Sequence, residues 1–342
     1  MLLSIEHLPS RFFTPIAEPA SARPRLFVIV DTEEEFDWSA PFSRDAVSVT
    51  AIDEVWRLQQ LLAPYRAVPT YVIDYPVATT PSSARRLAEY AARGECQIGA
   101  HLHPWVNPPH DEQLGGRASY ACNLGIDLER AKISALKDAI VAHLAVTPRV
   151  YKAGRYGFGP TTAHVLDLLG FDVDVSINPH MDYRADGGPT FEALRPVPAW
   201  FGDDRRLLEV PCTTGFTGAA RRFGPDLHRV ASADWLRPVR AVGVLARSGT
   251  LNKVMLSPEG STLEEMTALT RALHGDGVRT FSMTFHSPSL KPGCTRYVRS
   301  EAERDAFLRT IGKYCDFFFG PFGGVPGTPV DWYDQLTRGN AT

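Results

Sequence analysis

Cysteine is scarce and unpatterned in this chain. Its 342 residues contain five (Cys96, Cys122, Cys212, Cys294 and Cys315), an odd number with no CxxC pair. That spacing offers no disulfide framework, and reduced, buried thiols in a cytoplasmic protein are the expectation. Long apolar runs are also missing: nothing approaches the roughly 18 consecutive apolar residues that a membrane span needs. The opening Met1-Leu2-Leu3-Ser4-Ile5-Glu6-His7 lacks the basic and sustained apolar regions of a signal peptide. Neither sign of charge is in excess. A net charge of −3 and a pI near 6.4 argue against nucleic acid or an anionic membrane as the main partner. No internal repeat or low-complexity segment is present. What is left, 44% hydrophobic and 22% charged residues, is the composition of a soluble globular protein.

The length suits one large domain, since a single α/β barrel commonly runs to about 200 to 400 residues. Residues 1–24 read as an irregular leader. Arg25-Leu26-Phe27-Val28-Ile29-Val30 is an unbroken apolar run, the pattern of a strand buried on both faces. Strands are then expected at 69–74, 96–100, 148–153, 171–176, 253–257 and 278–285. Helices are expected at 50–63, 81–93, 127–145, 160–169, 261–274 and 301–316. Alternation of this kind predicts parallel strands joined by right-handed crossovers. About seven such units suit a distorted or incomplete (β/α) barrel. A strand near Leu207–Pro211 does not fit the alternation, and residues 178–250, rich in Gly, Pro and Arg, read as an insertion. Residues 321–342 form a C-terminal tail.

In parallel α/β folds the chemistry lies at the carboxyl ends of the strands. The first strand runs into Asp31-Thr32-Glu33-Glu34-Glu35-Phe36-Asp37-Trp38, and the third into His101-Leu102-His103-Pro104-Trp105. The strand at Val150 leads to Lys152, Arg155 and Tyr156, and the one at Val173 to Asp174; the last delivers His286. Residues i and i+2 of an extended segment point the same way, so His101 with His103, and Asp31 with Glu33, can each converge on one centre. Two neutral imidazoles and a carboxylate hold a divalent ion and leave positions open for water and substrate. Such an ion lowers the pKa of bound water towards about 7, a second carboxylate can take its proton, and a distant His can protonate a leaving group.

These segments, with Tyr151-Lys152-Ala153-Gly154-Arg155-Tyr156-Gly157 and Phe285-His286-Ser287-Pro288, resemble the polysaccharide deacetylase family. This is the NodB-homology domain of carbohydrate esterase family four, and the nearest likeness is to its cytoplasmic WalW-type branch. The resemblance covers about residues 25–320. It implies Asp31 as catalytic base and His286 as general acid. It also implies a metal ligand from the following carboxylates, Glu33 or Glu34, with alternation favouring Glu33. The family spaces its two histidines as HxxxH and this chain as HxH, which makes His101 a ligand and leaves His103 as ligand or neighbour. An arginine orients the base in the family; register places Lys152 there and residue type favours Arg155. Tyr156 could give a backbone N–H to an oxyanion hole.

The implied reaction removes an N-acetyl group from an amino sugar of a polysaccharide or its precursor, with a divalent metal, zinc by default. Trp38, Trp105 and Tyr183 could stack on sugar faces, and the segment 178–189, with His180 and Asp182, could shape the pocket together with Asp174. Two rivals stand beside this reading: a glycan-binding module without catalysis, and a hydrolase of a cyclic or non-sugar C–N bond. An iron oxygenase using two His and one carboxylate would need a different strand context. No oligomeric state follows from the sequence.

Overall fold

Apolar runs without a polar break have two faces to bury, and here they form the centre of a parallel sheet. The computed structural model describes residues 12–202 and 206–339. The expected leader lies outside the described residues as far as residue 11, as do residues 340–342 of the expected tail. A short strand β1 (Thr14–Pro15) precedes β2 (Arg25–Thr32), in which every residue after Arg25 is buried. Strands and helices then alternate through α1 (Val55–Leu62), β3 (Thr70–Ile73), α2 (Tyr75–Thr79), α3 (Pro81–Ala92), β4 (Gln97–Leu102), α4 (Ile126–Leu144), β5 (Val150–Ala153), α5 (Pro160–Leu168) and β6 (Val173–Asp174). The middle of the chain holds β7 (Ala199–Phe201), β8 (Leu207–Glu209), β9 (Thr214–Thr217), α6 (Gly224–Ala231), α7 (Ala241–Arg247) and β10 (Asn252–Met255). It closes with α8 (Leu263–Gly275), β11 (Thr280–His286), α9 (Glu301–Phe319), β12 (Val325–Pro326) and α10 (Pro329–Gly339).

Seven strands run parallel in the order β11-β2-β3-β4-β5-β6-β8. Strand β12 pairs in parallel with the start of β2, while β7 and then β1 extend the β8 edge antiparallel. The sheet curls into an incomplete (β/α) barrel. Its two faces separate by the period of two. Phe27, Ile29, Val72, Val150, Val173, Val175 and Leu208 share one face, sealed by Trp332 and Tyr333 of α10. Val28, Val30, Tyr71, Ile73, Ala100 and Tyr151 belong to the other, packed among helix residues such as Leu58, Leu87, Ile133 and Val165. Each of the Val, Leu, Ile and Phe side chains among these contributes about 1.5–3 kcal/mol on burial.

Two expectations are corrected. The strand near Leu207–Pro211 is not part of an insertion but β8, the seventh parallel strand, buried at all three positions. Its acidic Glu209 breaks the apolar run that marks its neighbours. The strand expected at 253–257 is β10, which pairs antiparallel with β9 in a separate two-stranded sheet. Its residues Asn252 and Lys253 are half-buried, so it lacks the two-sided burial of a central strand. Among the described residues no helix is long and apolar enough to cross a membrane.

Candidate functional site

The face carrying Phe27, Ile29, Val72 and Val150 continues, two residues at a time, to Asp31, Lys152 and His286 at the strand ends. His286 is in register with Asp31, and His101 with Lys152. Beyond the last ladder bonds, Glu33 and His103 keep the same side, and the groups meet over the mouth of the sheet.

The Nε2 atoms of His101 and His103 lie 3.2 Å and 3.3 Å from the same atom, Glu33 Oε2. The other ring nitrogens are engaged elsewhere: His101 Nδ1 lies 3.1 Å from the Lys152 carbonyl oxygen, and His103 Nδ1 2.7 Å from Glu34 Oε2. Nδ1–H donation to these two oxygens would leave each Nε2 as the nitrogen available to a cation. Burial, with the charge of His103 beside it, holds the His101 imidazole below its usual pKa, in the neutral form that a ligand requires. Burial opposes charge on His103 too, but the flanking carboxylates of Glu34 and Glu33 raise it well above the ordinary value. For Glu33, burial favours the neutral acid, and the charges of His286 and His103 with the His101 hydrogen bond overcome it, so the carboxyl lies well below the usual range.

Glu34 is fully enclosed. Its Oε1 accepts the Trp105 indole N–H at 2.8 Å, and its backbone N–H donates to Asp74 Oδ2 at 2.7 Å. Burial and the Glu34 charge push Asp74 well above the usual carboxylate range, so the proton of this acid pair resides on Asp74. Glu34 thereby becomes the holder of His103, and Glu33 the carboxylate that faces both imidazoles.

Asp31 is gripped from the opposite side. Lys152 Nζ donates to both its oxygens, at 2.6 Å and 2.7 Å, with neither side chain open to solvent. His286 Nε2 stands 3.7 Å from Asp31 Oδ2, while its Nδ1 lies 2.6 Å from Glu259 Oε2. Glu259 also accepts the His286 backbone N–H and the Ser289 hydroxyl. Burial works against the imidazolium, yet Glu259, Glu33 and Asp31 lift the His286 pKa to about 10.

Other expected residues lie elsewhere. Arg155 does not reach Asp31: its guanidinium lies 4.2 Å from the Tyr120 ring and donates to Ser119 Oγ at 2.6 Å. Lys152 occupies the place beside Asp31. Asp174 is corrected as a pocket residue, because Val173 and Val175 take the site face and Asp174 points to the opposite one. There it is fully buried, bonded to Ser176 and beside Glu209, with burial pushing it up to about 6. Trp105 is corrected as a sugar platform: it is 1% exposed and stacks on His103 at 4.3 Å. Asp182 is tied to Arg184 at 2.7–2.8 Å within its loop. Tyr156 stacks on Tyr183 and places its ring 5.5 Å from Lys152 Nζ. Trp38 is 54% exposed, edge-on to Phe36 and Trp105.

Glu259, Asp74 and the holding role of Glu34 escaped the sequence reading. A signal existed for two of them: Asp74 ends one expected strand, and Glu259 lies just beyond another. The strand-end rule applied to every carboxylate would have found both.

The turn after β5 has little room. Arg155 and Tyr156 both adopt positive φ (53° and 59°), an uncommon conformation outside glycine. A Cβ at Gly154 would fall 2.5 Å from the Leu102 carbonyl oxygen and collide with the His103 ring. Gly154→Ala is therefore expected to destabilise the fold by about 1–3 kcal/mol and to displace His103. Denaturant unfolding and bound-metal content check the two effects separately.

No family model matches the chain, and no curated protein matches it. Among solved structures the chain is similar to a Mycobacterium smegmatis protein assigned as a polysaccharide deacetylase. The two are 15% identical over 96% of this chain and 94% of the other, with a TM-score of 0.54. It is similar to the same degree to the Puue allantoinase, at 14% identity over 93% and 91% of the two chains and a TM-score of 0.54. The likeness is one of fold: this chain has the incomplete (β/α) barrel of those structures.

Proposed function

We propose that this chain is a metal-dependent hydrolase of the polysaccharide deacetylase type, which removes N-acetyl groups from an amino sugar of a polysaccharide or its precursor. The observation that carries the reading is the convergence of His101 Nε2 and His103 Nε2 on Glu33 Oε2, beside an Asp31 held by Lys152 and faced by His286.

The donor set fits a divalent ion. Two imidazole nitrogens and a carboxylate oxygen lie within 4.8 Å of one another, each imidazole braced through its other nitrogen. Glu33, His101 and His103 would hold the ion, with zinc suited to such N and O ligands. When bound, it supplies Lewis acidity, polarising the amide carbonyl and acidifying a coordinated water.

The remaining steps belong to the chain. Asp31 takes a proton from the attacking water as the new C–O bond forms, and Lys152 holds its carboxylate fixed in direction. The backbone N–H of Tyr156 serves the oxyanion. His286 gives its Nε2 proton to the amine nitrogen as the C–N bond breaks, which leaves acetate and a free amine. Glu259 keeps that proton in place beforehand. Trp38, exposed at the rim, offers the ring face for a sugar.

A second reading, hydrolysis of a cyclic or non-sugar C–N bond, is favoured by the equal likeness to the Puue allantoinase. Acetate release from a panel of N-acetylated sugars and carriers, run beside ring opening of allantoin, separates the two. Purified protein is expected to carry about one divalent ion per chain, to lose it in His101→Ala, and to release acetate. A metal-loaded protein that opens allantoin and releases no acetate selects the second reading. Glycan binding without metal or turnover removes both.

Glu259→Gln gives a pH signature. With that charge removed, burial is opposed by Glu33 and Asp31 alone, and the His286 pKa falls from about 10. The imidazole then loses its proton at a lower pH than in the wild type, so the alkaline limb of kcat/KM is expected to move to lower pH. Where the variant imidazole is deprotonated and the wild-type one is not, the loss approaches the roughly 10²–10⁴-fold of a missing general acid, and it recovers towards acid pH. A pH–rate profile identical to wild type would reject this role.

A further inference from the structure

The excursion between β9 and β10 is unlike the rest of the chain. Residues 218–250 contain six arginines (Arg221, Arg222, Arg229, Arg237, Arg240, Arg247) against two aspartates (Asp226, Asp234), with no lysine or glutamate. This local charge of +4 sits in a protein whose net charge is −3. The same short stretch holds five of the large apolar side chains that stand exposed: Phe223 and Trp235, 72% and 73% exposed, with Val230, Val242 and Val244. Those on the rest of the surface, such as Val47, Leu114, Ile126 and Leu168, are scattered.

Exposed single hydrophobics need no explanation, but a cluster of aromatic and aliphatic side chains on one small unit does. Arginine and apolar residue alternate along it: Arg222 precedes Phe223, Arg229 precedes Val230, and Arg240 and Arg247 bracket Val242 and Val244. Helix α6, with Arg229 and Val230, and helix α7, with Val242, Val244 and Arg247, pack on each other and on the β9–β10 pair. The two strands are held in register from Asn252 opposite Thr217 to Met255 opposite Thr214. Glu259, the partner of His286, follows shortly after β10.

A surface with ring tips and aliphatic side chains set among guanidiniums matches the interface of an anionic bilayer. Apolar tips enter the headgroup–acyl boundary while the arginines meet lipid phosphates. A protein partner of this patch would instead need acidic side chains matched to each arginine. We propose that the 218–250 unit docks the protein onto an anionic phospholipid surface. The overall negative charge does not oppose this, because the field near a membrane decays within about 10 Å and is felt by local charge alone. The inference does not depend on the hydrolase reading.

The test is co-sedimentation of the full-length chain with vesicles of pure phosphatidylcholine, and with vesicles of equal parts phosphatidylcholine and phosphatidylglycerol. Binding is expected to the mixed vesicles only and to weaken with salt. The triple variant Arg222→Gln/Arg240→Gln/Arg247→Gln should bind roughly a hundredfold more weakly, at about fivefold for each charge near the surface. Phe223→Ser/Trp235→Ser should lose binding while its thermal midpoint stays that of wild type, since both side chains are already in water. Absence of sedimentation with the mixed vesicles overturns the proposal. So does wild-type binding by both variants. A concentration-dependent dimer that the same substitutions abolish, with no vesicle binding, would assign the patch to a second copy of the chain instead.

Discussion

Replacing Asp31 by asparagine is expected to lower acetate release by about 10²–10⁴-fold, with KM for the N-acetyl substrate changed far less. Asparagine keeps the shape of the side chain and one oxygen for the Lys152 ammonium, which donates at 2.6–2.7 Å to the native carboxylate. It removes proton acceptance together with the charge that pairs with Lys152, so the unfolding midpoint is measured beside the activity. The ligand side chains Glu33, His101 and His103 are untouched, so metal content should remain at the wild-type level. Metal retained with activity lost assigns the base. Activity retained in full would remove Asp31 from that role and leave His286 or Glu33 to be tested in its place.

Lys152→Met carries the largest expected effect on stability. Both partners of the Lys152–Asp31 pair are buried, and removing one leaves a carboxylate with neither water nor counter-ion on that side. Breaking a buried pair in this way costs about 3–5 kcal/mol, whereas replacing both members by neutral groups can come close to neutral. Asp31→Asn/Lys152→Met is therefore expected to unfold at a higher denaturant concentration than Lys152→Met alone. A cation bound by Glu33, His101 and His103 supplies part of the missing positive charge. The single variant should accordingly suffer more after treatment with a chelator. Equal losses in the single and double variants would show that packing of the lysine stem, not its charge, matters at this position.

Much of this was legible in the chain itself. Unbroken apolar runs at 25–30 and 69–74 can be buried only between two layers, so they announce parallel strands before any contact is known. The period of two then aims Asp31, Glu33, His101, His103 and Lys152 to one side. The same rule placed Asp174 correctly beside a strand end but said nothing of which face it takes. That depends on Val173 and Val175 packing beneath the site, which turns Asp174 to the helix side with Tyr151. Leu207–Glu209 hid from the pattern because a buried carboxylate interrupts it, and β10 imitated a central strand while pairing only with β9.

What the sequence determined by itself was local: the elements, their order, and the residues at their ends, because apolar periodicity and strand geometry act between near neighbours. Only the tertiary structure decided the partnerships. It set Lys152 rather than Arg155 on Asp31, aimed His103 between Glu33 and Glu34, and brought Glu259 to His286 across 27 residues of chain. Those choices rest on distances of a few ångströms between groups remote in sequence, and on the burial that makes an unpaired charge costly.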